Sequence, residues 1–156
     1  MRKKWCIPTV GAAFVWRMED ILDLYAKPYD PKRPLVCFDE HMVQLIIEKR
    51  QPLPATSEHP ERYDYEYKRN GTCNLFMFFQ PLGGWRHVRV TKQRTKTDFA
   101  YCMQYLVDEA FPQAEVIVVV LDNLNTHGPV ALYETFEPAE AKRILDRLEF
   151  HYTPKH

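Results

Sequence analysis

Val116-Ile117-Val118-Val119-Val120-Leu121, closed by Asp122, is the clearest strand in the chain. A run apolar at every position has no polar face to turn to water, so it belongs in the middle of a sheet covered on both sides. Upstream, Leu35-Val36-Cys37-Phe38 shows the same character in shorter form, with Asp39-Glu40 directly behind it. Residues 43–48 read as a further strand, and the polar, proline-rich residues 51–60 as a loop. Asn70-Gly71 reads as a turn between the polar residues 63–69 and the run Leu75-Phe76-Met77-Phe78-Phe79. Gly83-Gly84 is a second turn signal, after which His87, Arg89 and Thr91 alternate with Val88 and Val90. Together these segments predict an antiparallel meander.

Three helical patterns surround these strands. Val15, Met18, Leu22 and Tyr25 recur at steps of three and four, predicting a helix over residues 12–26 that Pro28, Pro31 and Pro34 bring to an end. Thr95 and Asp98 have the spacing of a capping box, and Phe99, Cys102, Leu106, Val107 and Ala110 form the apolar stripe behind it. Pro138 suits a first helical turn, with Ala141, Ile144, Leu145 and Leu148 as the apolar face behind it. Phe150-His151-Tyr152 closes the series as a short strand. The order is that of an α/β protein, a mixed sheet flanked by helices.

Composition sets the outer limits. With 156 residues, the chain suffices for one domain with one core. Acidic and basic residues cancel at 21 each, so any case for nucleic-acid binding rests on local clusters. Arg86, His87, Arg89, Lys92, Arg94 and Lys96 form such a cluster, read either as phosphate contacts or as the charged protection of an edge strand. Cys6, Cys37, Cys73 and Cys102 form no C-x-x-C pair, which argues against a zinc site or a disulfide scaffold and suits a reducing cytosol. The basic Arg2-Lys3-Lys4 start lacks the downstream small residues of a cleavage site, and no stretch nears the ~20 apolar residues of a membrane span. These features predict a cytoplasmic protein.

Asp39 and Asp122 each follow an apolar run, and ligand sites in open α/β sheets lie beyond the carboxyl ends of the strands. If the two strands are neighbours, both carboxylates meet at one edge, as hard oxygen donors suited to Mg²⁺ or Mn²⁺. Taken singly, an Asp in that place is as well explained as a turn residue or helix cap.

The local words are more specific. Val36-Cys37-Phe38-Asp39-Glu40 and Val120-Leu121-Asp122-Asn123-Leu124-Asn125-Thr126-His127 resemble the first two acidic motifs of DDE transposases, in the bacterial insertion-sequence branch of the mariner-like superfamily. Tyr63 to Tyr67, Arg69-Asn70-Gly71, the run at 74–79 and Gly84-Trp85-Arg86-His87 look like that branch's intervening segment. Phe150 to His156 looks like the approach to its third acidic motif. The resemblance implies an RNase H-like fold over residues 28–156, preceded by an N-terminal arm and linker helix over residues 1–27. It implies Asp39 and Asp122 as metal-holding catalytic residues, with two divalent metals, DNA as substrate at element ends and target, and a homo-oligomer or full-length transposase as partner.

Supporting roles around the metals fall to Glu40, Asn123, Asn125 and His127, although a His in that place more often caps the next helix and the two Asn serve turns. Phosphate contacts fall to Arg86, Arg89, Lys92, Arg94 and Lys96. The family's third acid and the helix that carries it have no counterpart before His156, so the fold is expected to lack its C-terminal helix and to expose an apolar patch. Glu40 is not expected to stand in, because it points away from Asp39 if the strand continues. An inactive remnant that binds DNA or full-length transposase, and an RNase H-fold nuclease outside transposition, are the alternatives.

Overall fold

A computed structural model describes residues 11–124 and 127–154. Five strands form one sheet in the order β3-β2-β1-β4-β5: β1 Leu35–Glu48, β2 Tyr67–Phe79, β3 Arg86–Thr91, β4 Ile117–Leu121 and β5 Leu148–Tyr152. The first three pair antiparallel, while β4 runs parallel to both β1 and β5. All five residues of β4 are buried, as expected of a strand with helices over both faces.

One face carries the main core. Val36 and Phe38 of β1, Phe76 and Phe78 of β2, and Val119 and Leu121 of β4 pack under Phe99, Met103 and Leu106. Those three come from α2 (Lys96–Tyr105) and the π-helical turn Leu106–Ala110 that extends it. The Thr95–Asp98 capping box is formed in both directions and starts α2 where the spacing predicts. Two further helices complete the layer: α3 (Pro129–Thr135), contributing Leu132, and α4 (Pro138–Leu145), contributing Ile144. Pro138 occupies the first turn of α4 as expected, whereas α3, also begun by a proline, is not anticipated by any periodic run.

Among the described residues, the second face is covered by α1 (Ala12–Ala26), through Ile21 and Leu24 against Leu35, Val118 and Val120. The helix has the expected bounds but not the expected face. Met18, Leu22 and Tyr25 are exposed, and the buried positions lie one residue earlier. Both stripes have the same spacing, and one residue is a rotation of about 100°. Polar contacts decide between them: Asp20 Oδ2 lies 2.6 Å from His151 Nδ1 on β5, and His151 Nε2 lies 3.0 Å from Glu149 Oε1. Glu149 in turn pairs with Arg33 at 2.7 Å. Because α1 does not reach β2 and β3, Phe79, Val88 and Val90 are exposed.

Two strand boundaries differ from expectation. Residues 43–48 are no separate strand but the far half of β1, which pairs with β2 as a two-stranded ribbon from Val43 to Glu48. Asn70-Gly71 is no hairpin turn either; it lies inside β2, where the register shifts between Gln44 and Ile46 of β1. Gly71 takes φ +83° there, so its left-handed backbone absorbs the extra residue of a bulge. Gly83-Gly84 does close the β2–β3 hairpin, with Gln80 N donating to Trp85 O. Of the three alternating tyrosines only Tyr67 is in a strand, and Tyr63 and Tyr65 are exposed in the loop before it.

Candidate metal-binding site

The parallel pairing of β1 and β4 is short: Leu35 with Val118, Val36 with Val119, Cys37 with Val120. Beyond that point the strands part. The residue two places past Cys37 is Asp39 and the residue two places past Val120 is Asp122, so both acids stand level where the sheet splits, at the carboxyl end of β4. Adjacent strands lie about 5 Å apart, which brings the two backbones within reach of one hydrated cation.

Asp39 does not follow the end of its strand, as the apolar run suggests, but lies within it. Its side chain belongs to the face of Leu35 and Cys37, is exposed, and accepts one hydrogen bond, 2.9 Å from Glu40 N. Asp122 directly follows β4, and its side chain is 42% exposed. Its Oδ1 meets His127 Nδ1 at 2.6 Å. Each carboxylate thus has one oxygen engaged and one without a protein hydrogen bond among the described residues.

Glu40 turns to the opposite face, as alternation in a continuing strand requires. That turns it into the protein, where its side chain is only 1% exposed. Glu40 Oε1 pairs with Arg94 at 3.1 Å, and Oε2 lies 2.7 Å from His127 Nε2. The second contact has the length of an ion pair but not the direction of a hydrogen bond, so among the described residues neither atom has an aligned partner. His127 is not a helix cap: α3 is capped by Gly128 without a side-chain bond. The imidazole stacks on Phe99 at 5.0 Å and meets Phe38 edge-on at 5.4 Å. Burial opposes its positive charge, but the carboxylates of Glu40 and Asp122 beside it outweigh burial and raise its pKa above the ordinary value.

Glu40, Asp122 and His127 therefore form one cluster, their donor atoms within 4.8 Å of one another, and Asp39 is not part of it. The sequence held the signal in two parts, the Asp122-x-x-x-x-His127 spacing and the alternation of a β1 longer than its apolar run. Asn123 lines a shallow concavity with Ala13, Phe14 and Arg17 at the start of α1. Asn125 lies outside the described residues.

The basic cluster is divided by the strand it occupies. Arg86 shares the exposed face of β3 with Val88 and Val90, while Arg89 turns toward the helices and donates to Tyr101 O. Arg94 is held by Glu40 and Lys96 by Glu134. Arg86 and Lys92 make no ion pair among the described residues.

A family model described as DDE superfamily endonuclease matches residues 34–156. The fold matches solved structures of Mos1. A Mos1 mariner paired-end complex with Mn has a TM-score of 0.53 at 16% identity, covering 99% of this chain and 46% of that one. A Mos1 strand transfer complex gives 0.57 at 14% identity, and a Mos1 transposase paired-end complex with the left transposon end gives 0.55 at 14%. Both cover the same shares, so the chain spans about half the length of the proteins it resembles. At these identities the likeness establishes the fold, an RNase H-like mixed sheet. Among curated proteins no sequence matches.

Proposed function

The chain belongs to the DDE superfamily endonucleases, and we propose that it is the catalytic part of a transposase that cuts and joins DNA phosphodiesters with divalent metal ions. The observation that carries this reading is the split between β1 and β4, which sets Asp39 and Asp122 level at the sheet's edge. Two exposed carboxylates, each with an unengaged oxygen, are the donor chemistry that Mg²⁺ or Mn²⁺ takes. The residues present fit such ions, with Asp39 and Asp122 holding them. When bound, the ions supply charge that favours attack on phosphorus and departure of the leaving oxygen.

The chain's own part is to hold and to orient. Asp39 and Asp122 anchor the site from two adjacent strands, so its width is fixed by the sheet rather than by loops. Arg86 and Lys92, without an ion pair among the described residues on the β3 side, are suited to hold DNA phosphates; Arg89, Arg94 and Lys96 are committed to partners within the chain. DNA at the element's ends and at the target is then the substrate, and a second transposase chain the partner. Residues up to 27 serve as arm and linker helix and residues from 28 as the nuclease domain, in keeping with a family match that begins at residue 34. Free thiols at Cys37, Cys73 and Cys102 suit the cytoplasm, and no helix among the described residues is long and apolar enough to cross a membrane.

The test is Mn²⁺-dependent nicking of supercoiled DNA by the purified chain, alongside Asp39→Asn and Asp122→Asn. Nicking that either substitution abolishes supports the reading. A folded chain that binds DNA without nicking points instead to a DNA-binding remnant, and nicking that survives both substitutions places the chemistry elsewhere.

A further inference from the structure

Resting on that reading, we propose that His127 is a positioning residue, which fixes the Asp122 carboxylate through Nδ1 and is itself held by Glu40, so that neither His127 nor Glu40 ligates the ion. Three arrangements compete for these residues. As a helix cap, His127 would turn its side chain to the backbone of α3, and it does not. As a three-ligand metal site, the cluster would need a lone pair on one imidazole nitrogen aimed at empty space shared with both carboxylates. Instead a carboxylate oxygen lies close to each nitrogen, Asp122 Oδ1 at 2.6 Å in a hydrogen bond with Nδ1 and Glu40 Oε2 at 2.7 Å from Nε2. Glu40 and His127 side chains are each 1% exposed, which leaves no water around a cation that dehydrates reluctantly.

The third arrangement accounts for every contact. Arg94, Glu40, His127 and Asp122 stand in one line of contacts, in which each carboxylate lies against a nitrogen group. The imidazole cannot turn, because Phe99 stacks on it and Phe38 closes its edge. Its backbone is pinned as well: Tyr152 donates its hydroxyl to His127 O at 3.2 Å. At the far end Asp122, which has left its strand, would otherwise rotate freely. The Nδ1 bond consumes one carboxylate oxygen from the protein side and presents the other outward. A carboxylate oriented by a fixed donor binds a cation without first losing its own rotational freedom.

The experiment measures Mn²⁺ binding to the purified chain by loss of the free-ion paramagnetic resonance signal, with Asp122→Asn as the control for the metal site. His127→Phe fills the aromatic cage but has no donor, and its affinity is expected to fall roughly 10- to 100-fold while circular dichroism stays native. His127→Asn returns an N–H near the position of Nδ1, and is expected to bind within about threefold of the native chain. If His127→Phe binds Mn²⁺ as the native chain does, the positioning role is wrong. If His127→Asn binds as poorly as Asp122→Asn, His127 is a ligand and the proposal fails. Should His127→Phe not fold, Glu40→Gln is read in its place: weaker Mn²⁺ binding is expected, and unchanged binding overturns the proposal. Absence of Mn²⁺ binding by the native chain, or normal binding by Asp122→Asn, removes the metal site itself and the proposal with it.

Discussion

Replacing Glu40 with glutamine removes one charge from the most enclosed ionic group among the described residues and leaves its shape. Breaking a fully buried ion pair by deleting one partner commonly costs about 3–5 kcal/mol, because the other charge stays behind without compensation. Two features reduce that figure here. Arg94 is 49% exposed, so water takes over much of what Glu40 gives it. His127 can release its proton more readily, since one of the two carboxylates that raise its pKa is then gone and burial still opposes the charge. What is left is an amide in a site built for a carboxylate, a loss of about 1–2 kcal/mol. For a domain of this size that is a fall in melting temperature of roughly 2–8 °C. Urea unfolding at neutral pH, followed by far-ultraviolet circular dichroism, gives the free energy directly. Pairing Glu40→Gln with Arg94→Met in a double-mutant cycle isolates the half-exposed arm, whose coupling should be about 0.5 kcal/mol. A loss above about 4 kcal/mol would mean that the imidazolium stays charged and stranded. A more stable variant would mean that burying Glu40 costs more than its two partners return.

Three other perturbations probe the frame around the site. His151 has a raised pKa despite burial that works against its charge, because Asp20 and Glu149 hydrogen-bond to it, and Glu149 is held low chiefly by His151 and also by Arg33. The raised imidazole contributes stability fully below its ordinary 6.5 and loses it as pH climbs through the higher folded value, while the lowered Glu149 contributes above its ordinary 4.5 and loses it as pH falls. The melting-temperature gap between the native chain and His151→Gln should therefore be widest between those two values and close above them; a gap constant with pH refutes the latch. Gly71→Ala meets no neighbour within 4 Å, so its cost is purely conformational, about 1–2 kcal/mol in urea unfolding, and a neutral result would deny the left-handed bulge. Thr95→Ala removes the capping box of α2 and should cost about 1 kcal/mol by the same measurement, with Thr95→Ser near neutral.

Much of the fold is legible because its centre is simple. The run at 116–121 has no polar residue to mislead, so β4 and the place of Asp122 follow directly from the sequence. Asp39 directly follows an apolar run but does not end its strand: the run stops at Phe38, and the strand continues to Glu48. Its continuation, Asp39 to Glu48, is half ribbon, with exposed Met42, Ile46 and Ile47 on a strand that has only β2 beside it for much of its length. Periodicity tracks burial rather than pairing, so a strand that leaves the core stops looking like one. The same limit hides the face of α1, where two stripes of equal spacing differ only in what waits on the sheet opposite. Glu40 and His127 are visible in the sequence as neighbours of the acids, but their contact with each other joins β1 to the segment before α3 and has no local trace.

The pairing that sets Asp39 beside Asp122 also sets when the site comes into being. Leu35 and Val118 are 83 residues apart in the chain, and closing so long a loop comes late among folding events. The hairpins of β1, β2 and β3 are local by comparison, and their pairing with one another involves no residue downstream of Thr91. A chain emerging from the ribosome can therefore build its meander early, carrying Asp39 alone. The second acid arrives only when β4 has been made and has docked between β1 and β5. Any species short of that, whether nascent, proteolysed or half unfolded, has one half of the acid pair and no means of assembling the other.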